Sequence, residues 1–83
     1  MNLIEQLDSI SSLGDDWNAN RAKSFSPDLI TKCKHIAVPL ENCGFSVFPT
    51  GRDSTQFEKE TDGEYIEIEV FDDHIEFYNG STK

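Results

Sequence analysis

Glu67 and Glu69 have the strongest claim to chemistry in this sequence. If residues 64–71 form a strand, the two carboxylates share one face, about 7 Å apart along it. Paired carboxylates can do general acid–base work or hold a cation. Such a pair needs a cleft to shift a pKa, and an open sheet supplies none. No catalytic residue is assigned on this ground.

The other reactive side chains are scattered. His35 and His74 stand alone in their segments, and Cys33 and Cys43 lack zinc spacing. Cys33 reads as a buried small apolar group and Cys43 as half-exposed. A Cys43–His35 nucleophile pair stays open, with nothing visible to orient it. Asp15, Asp16, Asn18 and Asn20 offer many oxygens around Trp17, without the glycine and closing glutamate of a calcium loop. Caps and turns account for them more simply. "VFPTGRDSTQFEKE", residues 47–60, has a Gly-Arg pair but no P-loop pattern and no following helix. It reads as a connection between strands, with Pro49 closing one and Gly51 free to take positive φ. No metal or cofactor is expected.

These side chains must be positioned by few elements. The chain has 83 residues, 36% hydrophobic, which is room for one domain over residues 1–83. Leu3, Leu7 and Ile10, widened by Ile4 and Leu13, predict an amphipathic helix over 3–13, with Asn2 as its cap and Gly14 as a left-handed stop. Residues 15–25 read as an ordered loop anchored by Trp17 and Phe25. Ser26, Pro27 and Asp28 open a second helix whose stripe is Leu29, Cys33 and Ile36, flanked by Ile30 and Ala37. Pro39 should end it by pushing Val38 out of the helical region. After Gly44 the period drops to two, predicting strands over 45–48, 54–60, 64–71 and 74–78, and a frayed tail over 80–83. Short connections make the four strands an antiparallel meander.

The expected fold is therefore α+β, two N-terminal helices on one face of a four-stranded sheet. Phe57, Ile66, Ile68, Val70, Ile75 and Phe77 should lie under the helices. Gln56, Glu58, Tyr65, Glu67, Glu69, Phe71, Glu76 and Tyr78 should line the open face, with Phe48 at its edge.

Charge narrows the partners. Residues 1–40 carry four Lys and Arg against five acids, and residues 41–83 carry three against eleven. So −8 of the net −9 falls in the second half. This repels phosphate backbones and anionic lipid, so direct nucleic-acid or membrane binding is not expected. A basic protein would be steered in. No signal peptide or membrane-length segment is visible, which predicts a soluble cytoplasmic protein with reduced thiols. Acids interleaved with aromatics suit Arg- and Lys-bearing partners, while a merely solvated face with edge-protecting charge is the alternative.

The segments "LGDDWNANRAKSFSPDLI", "FPTGRDSTQFEKE" and "YIEIEVFDDHIEFY" together resemble a small domain of bacterial and phage genomes. That domain shows a Trp-Asp-Gly-like loop, a Pro or Ser-Pro helix start and a PTG-x-x-S-x-Q-[FL]-E hairpin. The resemblance runs from about Leu13 to Tyr78. Trp17, Pro27, Pro49, Gly51, Ser54, Gln56, Phe57 and Glu58 match; Asn18-Ala19 and Thr55 depart from the pattern. It implies no settled activity.

Three readings of function follow. The first is a non-enzymatic interaction protein, of the phage-inhibitor or regulator kind, whose acidic face occupies a basic partner surface much as DNA would. The second is a ligand-binding or enzymatic domain built on Trp17 and Arg52. The third is a homodimer or larger oligomer paired through the open face.

Overall fold

The computed structural model describes residues 2–14 and 25–81. In chain order it contains α1 (Leu3–Ser11), α2 (Pro27–Ala37), a 3-10 turn (Val38–Leu40), β1 (Ser46–Pro49), β2 (Thr55–Thr61), β3 (Glu64–Val70) and β4 (Ile75–Ser81). The strands form one antiparallel sheet in the order β1-β2-β3-β4. The α+β class and the meander are as the periodicity predicts. The Trp17 loop, over residues 15–24, lies outside the described residues.

Both helix starts follow from local chemistry. Asn2 accepts from the Glu5 N–H at 2.8 Å, and Glu5 accepts from the Asn2 N–H at 3.2 Å, a reciprocal capping box. Ser26 accepts from the Leu29 N–H at 3.1 Å, with Pro27 in the first turn. Both helix ends differ from expectation. Gly14 is not among the glycines with positive φ. Instead Ser11 and Ser12 turn their hydroxyls onto the carbonyls of Asp8 and Ser9, each at 2.7 Å, and α1 stops there. Val38 stays helical at φ −53°, ψ −52°; the chain tightens into the 3-10 turn and leaves at Glu41, where ψ is 139°.

The hairpin turns show why these residues are there. Asp62 and Gly63, at φ 53° and 83°, form the two-residue turn whose twist matches antiparallel strands. Between β1 and β2 the Thr50 N–H bonds the Ser54 carbonyl at 3.2 Å, with Gly51 at φ 81° and Asp53 at φ 60°. β4 runs to Ser81, past the tail expected from residue 80, because the N-terminal half of β3 needs a partner: Glu64, Tyr65 and Ile66 pair with Ser81, Gly80 and Asn79.

The core joins Leu3, Leu7 and Ile10 of α1 to Leu29, Ile30, Cys33 and Ala37 of α2 and to Val47, Phe57 and Val70 of the sheet. Phe25 and Ile68 pack against it half-buried. Cys33 is buried, with its sulfur 2.8 Å from the Thr55 hydroxyl, and burial pushes its thiol pKa up. Cys43 is exposed, its thiol turned to the Pro39 carbonyl at 3.7 Å.

The helices do not cover the whole face assigned to them. α1 packs on β1 and reaches its outer edge, where Gln6 Oε1 accepts the Val47 N–H at 3.1 Å. α2 ties to β2 through Cys33 and to the end of β3 through Lys32, whose ammonium donates to the Phe71 carbonyl at 2.9 Å. The helical layer is thus displaced toward β1. Ile75 and Phe77, expected beneath it, are 49% and 66% exposed, and Ile66 is only half-buried.

Candidate interaction face

The opposite face carries the eight residues named from the sequence, and the register sets them in rows. Gln56, Glu69 and Glu76 lie directly across from one another, as do Glu58, Glu67 and Tyr78. Two carboxylate pairs therefore face each other across strands, Glu58 with Glu67 and Glu69 with Glu76. Like charges so placed destabilise a sheet unless something intervenes.

Something intervenes at both. The Tyr65 hydroxyl lies 2.8 Å from Glu58 Oε2 and 2.9 Å from Glu67 Oε2, one proton serving two carboxylates. Its pKa is pushed up, first by the bond to Glu58, then by burial and the bond to Glu67. Tyr65→Phe removes that proton and leaves two acids facing each other half-buried. We expect a loss of about 1.5 kcal/mol, the low end for a hydrogen bond to a charged group because the site is only half-buried. Urea unfolding at pH 7 measures it, and an unchanged midpoint would show the hydroxyl to be idle.

At Glu69 the outcome differs from the sequence expectation. Alternation along β3 predicts a solvent-facing side chain here; Glu69 is on the open face, but only 4% exposed. The 50–54 turn folds over it. Arg52 donates from Nη2 to Oε1 at 2.5 Å and from Nε to Oε2 at 3.2 Å, and the Ser54 hydroxyl donates to Oε2 at 2.5 Å. Burial alone would push the Glu69 carboxyl up. The Ser54 and Arg52 bonds and the arginine charge outweigh it, so the group sits below its ordinary value. Glu69 is a structural anion and offers no free charge to a partner.

The turn between β3 and β4 extends this cluster. Phe71 lies just beyond β3, half-buried, with its ring stacked on His74 at 4.3 Å between centroids and the Arg52 guanidinium 5.6 Å from its centre. His74 bonds Asp73 at 2.7 Å and Glu76 at 3.1 Å, and these two acids raise its pKa. Its favourable contribution is thus complete below its unfolded value and is lost as pH rises through the folded one. Tyr78 is exposed beside Tyr65, with ring centroids 6.2 Å apart. A Cβ added at Gly80 would stand 2.5 Å from the Tyr78 hydroxyl oxygen, so Gly80 leaves space for that side chain.

The face therefore has two parts. One is an internally neutralised cluster of Arg52, Ser54, Glu69, Phe71 and His74, which sequence reasoning missed apart from naming Glu69 and Phe71. The other is a row in which acids outnumber cations: Glu58 and Glu67, which share the Tyr65 hydroxyl, Glu76, which bonds the exposed His74, and the exposed Tyr78. Arg52, named with Trp17 for a ligand-binding or enzymatic reading, is ion-paired to Glu69 with its side chain largely exposed; Trp17 lies outside the described residues. Two hollows, of about 270 Å³ beside Lys59, Asp62 and Ile66 and about 310 Å³ beside Ile4, His35 and Val38, include none of the eight face residues. Among the described residues no group of three or more His, Cys, Asp or Glu is placed to hold a metal ion, and no helix is long and apolar enough to cross a membrane.

Compared with protein-family models, with curated proteins and with solved structures, the chain matches none.

Proposed function

We propose that this chain is a small non-enzymatic interaction domain that docks the acidic half of its open sheet face on a basic surface of a partner protein. The observation that carries the reading is the row Glu58, Glu67 and Tyr78, continued by Glu76, on a sheet face that neither helix covers. Two half-buried carboxylates held across from each other by a shared hydroxyl proton are a poor arrangement for stability alone. An arriving Arg or Lys relieves their repulsion, so the arrangement favours a cationic partner. The −9 charge extends the attraction over a distance and fixes its sign. The same pattern competes for surfaces that hold nucleic acid, the role of an inhibitor or regulator of the phage type.

The test is capture of basic, nucleic-acid-binding proteins from a bacterial lysate, with salt titration and competition by duplex DNA. Glu67→Lys combined with Glu76→Lys should weaken capture about tenfold or more, the scale of one close interfacial charge pair. Far-UV circular dichroism should stay the same, since neither residue is in the core. Capture indifferent to the reversal, to salt and to DNA sinks the proposal.

A further inference from the structure

The two edges of the sheet are treated differently. β1 has four residues, ends in Pro49, and has its Val47 N–H taken by Gln6 of α1. These are ordinary ways of closing a sheet edge. β4 has seven residues, no proline, and among the described residues no element packed outside it.

The backbone phase of β4 follows from its hairpin. The Phe71 N–H bonds the His74 carbonyl at 2.9 Å. Antiparallel alternation then points the N–H and C=O groups of Glu76 and Tyr78 at β3, and those of Ile75, Phe77 and Asn79 outward. The side chains of this edge divide by face. Ile75 and Phe77 are bare on the helix side, where the helical layer stops short, while Glu76 and Tyr78 stand exposed on the acidic side with Glu67 behind them.

Resting on the acidic-face reading above, we infer that β4 accepts an extended partner segment as a fifth strand. That segment alternates apolar residues, which cover Ile75 and Phe77, with Lys or Arg, which meet Glu76 and Glu67. Main-chain bonds supply the attachment and alternating side chains the selectivity, the general logic of strand addition. A second copy of this chain fits worse, because it brings the same −9 charge and the same acids to the seam. An acidic strand would set its own carboxylates against Glu76 and Glu67, and an uncharged one would add no cation to them.

The probe is a Lys–Val alternating peptide of about the length of β4. Amide exchange is read residue by residue in the full chain. At a peptide concentration near ten times Kd, the Ile75, Phe77 and Asn79 amides should slow about tenfold. Glu76 and Tyr78, already bonded to β3, should change far less. Asn79→Pro, which removes an outward N–H from an edge position, should weaken the peptide with the fold retained. The exchange measurement on the unaltered protein stands whether or not that variant folds.

Strand addition is overturned if the peptide binds and leaves the three amides unprotected. When such binding is also lost in Glu67→Lys, the acidic-face reading survives alone. Equal protection by a Glu–Val peptide overturns the basic part of the inference. Protection that needs only higher protein concentration overturns it in favour of self-pairing. Protection by the Lys–Val peptide that is insensitive to salt upholds the strand and removes the acidic-face reading.

Discussion

Replacing Phe57 by Ala should cost this domain about 3–5 kcal/mol, whereas replacing Phe77 by Ala should change its stability by less than about 1 kcal/mol. Both residues are phenylalanines on the same face of the same sheet, two strands apart. Phe57 is 0% exposed, against Val47 and Ile68 on neighbouring strands and beneath the helical layer; Phe77 is 66% exposed. A fully buried Phe→Ala costs about 3–5 kcal/mol, as transferred surface plus a cavity the neighbours fill only in part. At the usual stability per residue a chain of this length has about 4–12 kcal/mol in all. Urea unfolding of the two variants decides the matter. Similar losses at the two positions would mean that the helices reach β4 after all, and the exposed edge on which strand addition depends would be lost.

That contrast also marks how much was legible in the sequence. Alternation over 64–71 and 74–78 assigns every side chain to its correct face, because a period of two leaves only two choices. It says nothing about how far a second layer extends sideways. The displacement of the helices toward β1 comes from contacts distant in sequence, such as Gln6 with Val47, and no local pattern announces them. Ile75 and Phe77 therefore look like core residues in the sequence and are surface residues in the fold. The same limit hid the Glu69 cluster. Glu67 and Glu69 are indistinguishable as letters in "EYIEIEVF", yet one is half-buried against a tyrosine and the other is enclosed by a turn fifteen to seventeen residues earlier. A signal existed in "GRDS": an arginine in a tight turn, in the half of the chain that has few cations, calls for an anion nearby. The reciprocal caps at Asn2 and Ser26 were readable because each uses only the next three residues.

Arg52→Met should destabilise the domain at pH 7, and the deficit should shrink on acidification. The cause is the stranded Glu69 carboxylate. It keeps the Ser54 hydroxyl but loses both arginine bonds and the only cation hydrogen-bonded to it among the described residues. Leaving a buried charged group under-satisfied costs about 1–3 kcal/mol or more. Met retains some packing on Phe71, so the loss reports mainly the charge. The pH dependence has a definite sign. In the natural chain the folded Glu69 carboxyl lies below its ordinary value, so its contribution is present above about pH 4.3 and is lost as pH falls through the folded value. Without the cation, burial is opposed only by the Ser54 bond and the weaker pull of His74, and the folded value moves up. The carboxylate then opposes folding at neutral pH, and protonation removes that opposition. The deficit should begin to shrink as pH falls from 7 toward 4, while the variant's carboxyl protonates, and should close only below the folded value of the natural chain. Glu69→Gln, which strands no charge, should cost less than Arg52→Met at pH 7. A deficit that is constant across this range, or larger in Glu69→Gln, would mean that Arg52 acts through packing alone. The arginine would then not neutralise Glu69, and the division of the face into a neutralised cluster and an acid-rich row would fall.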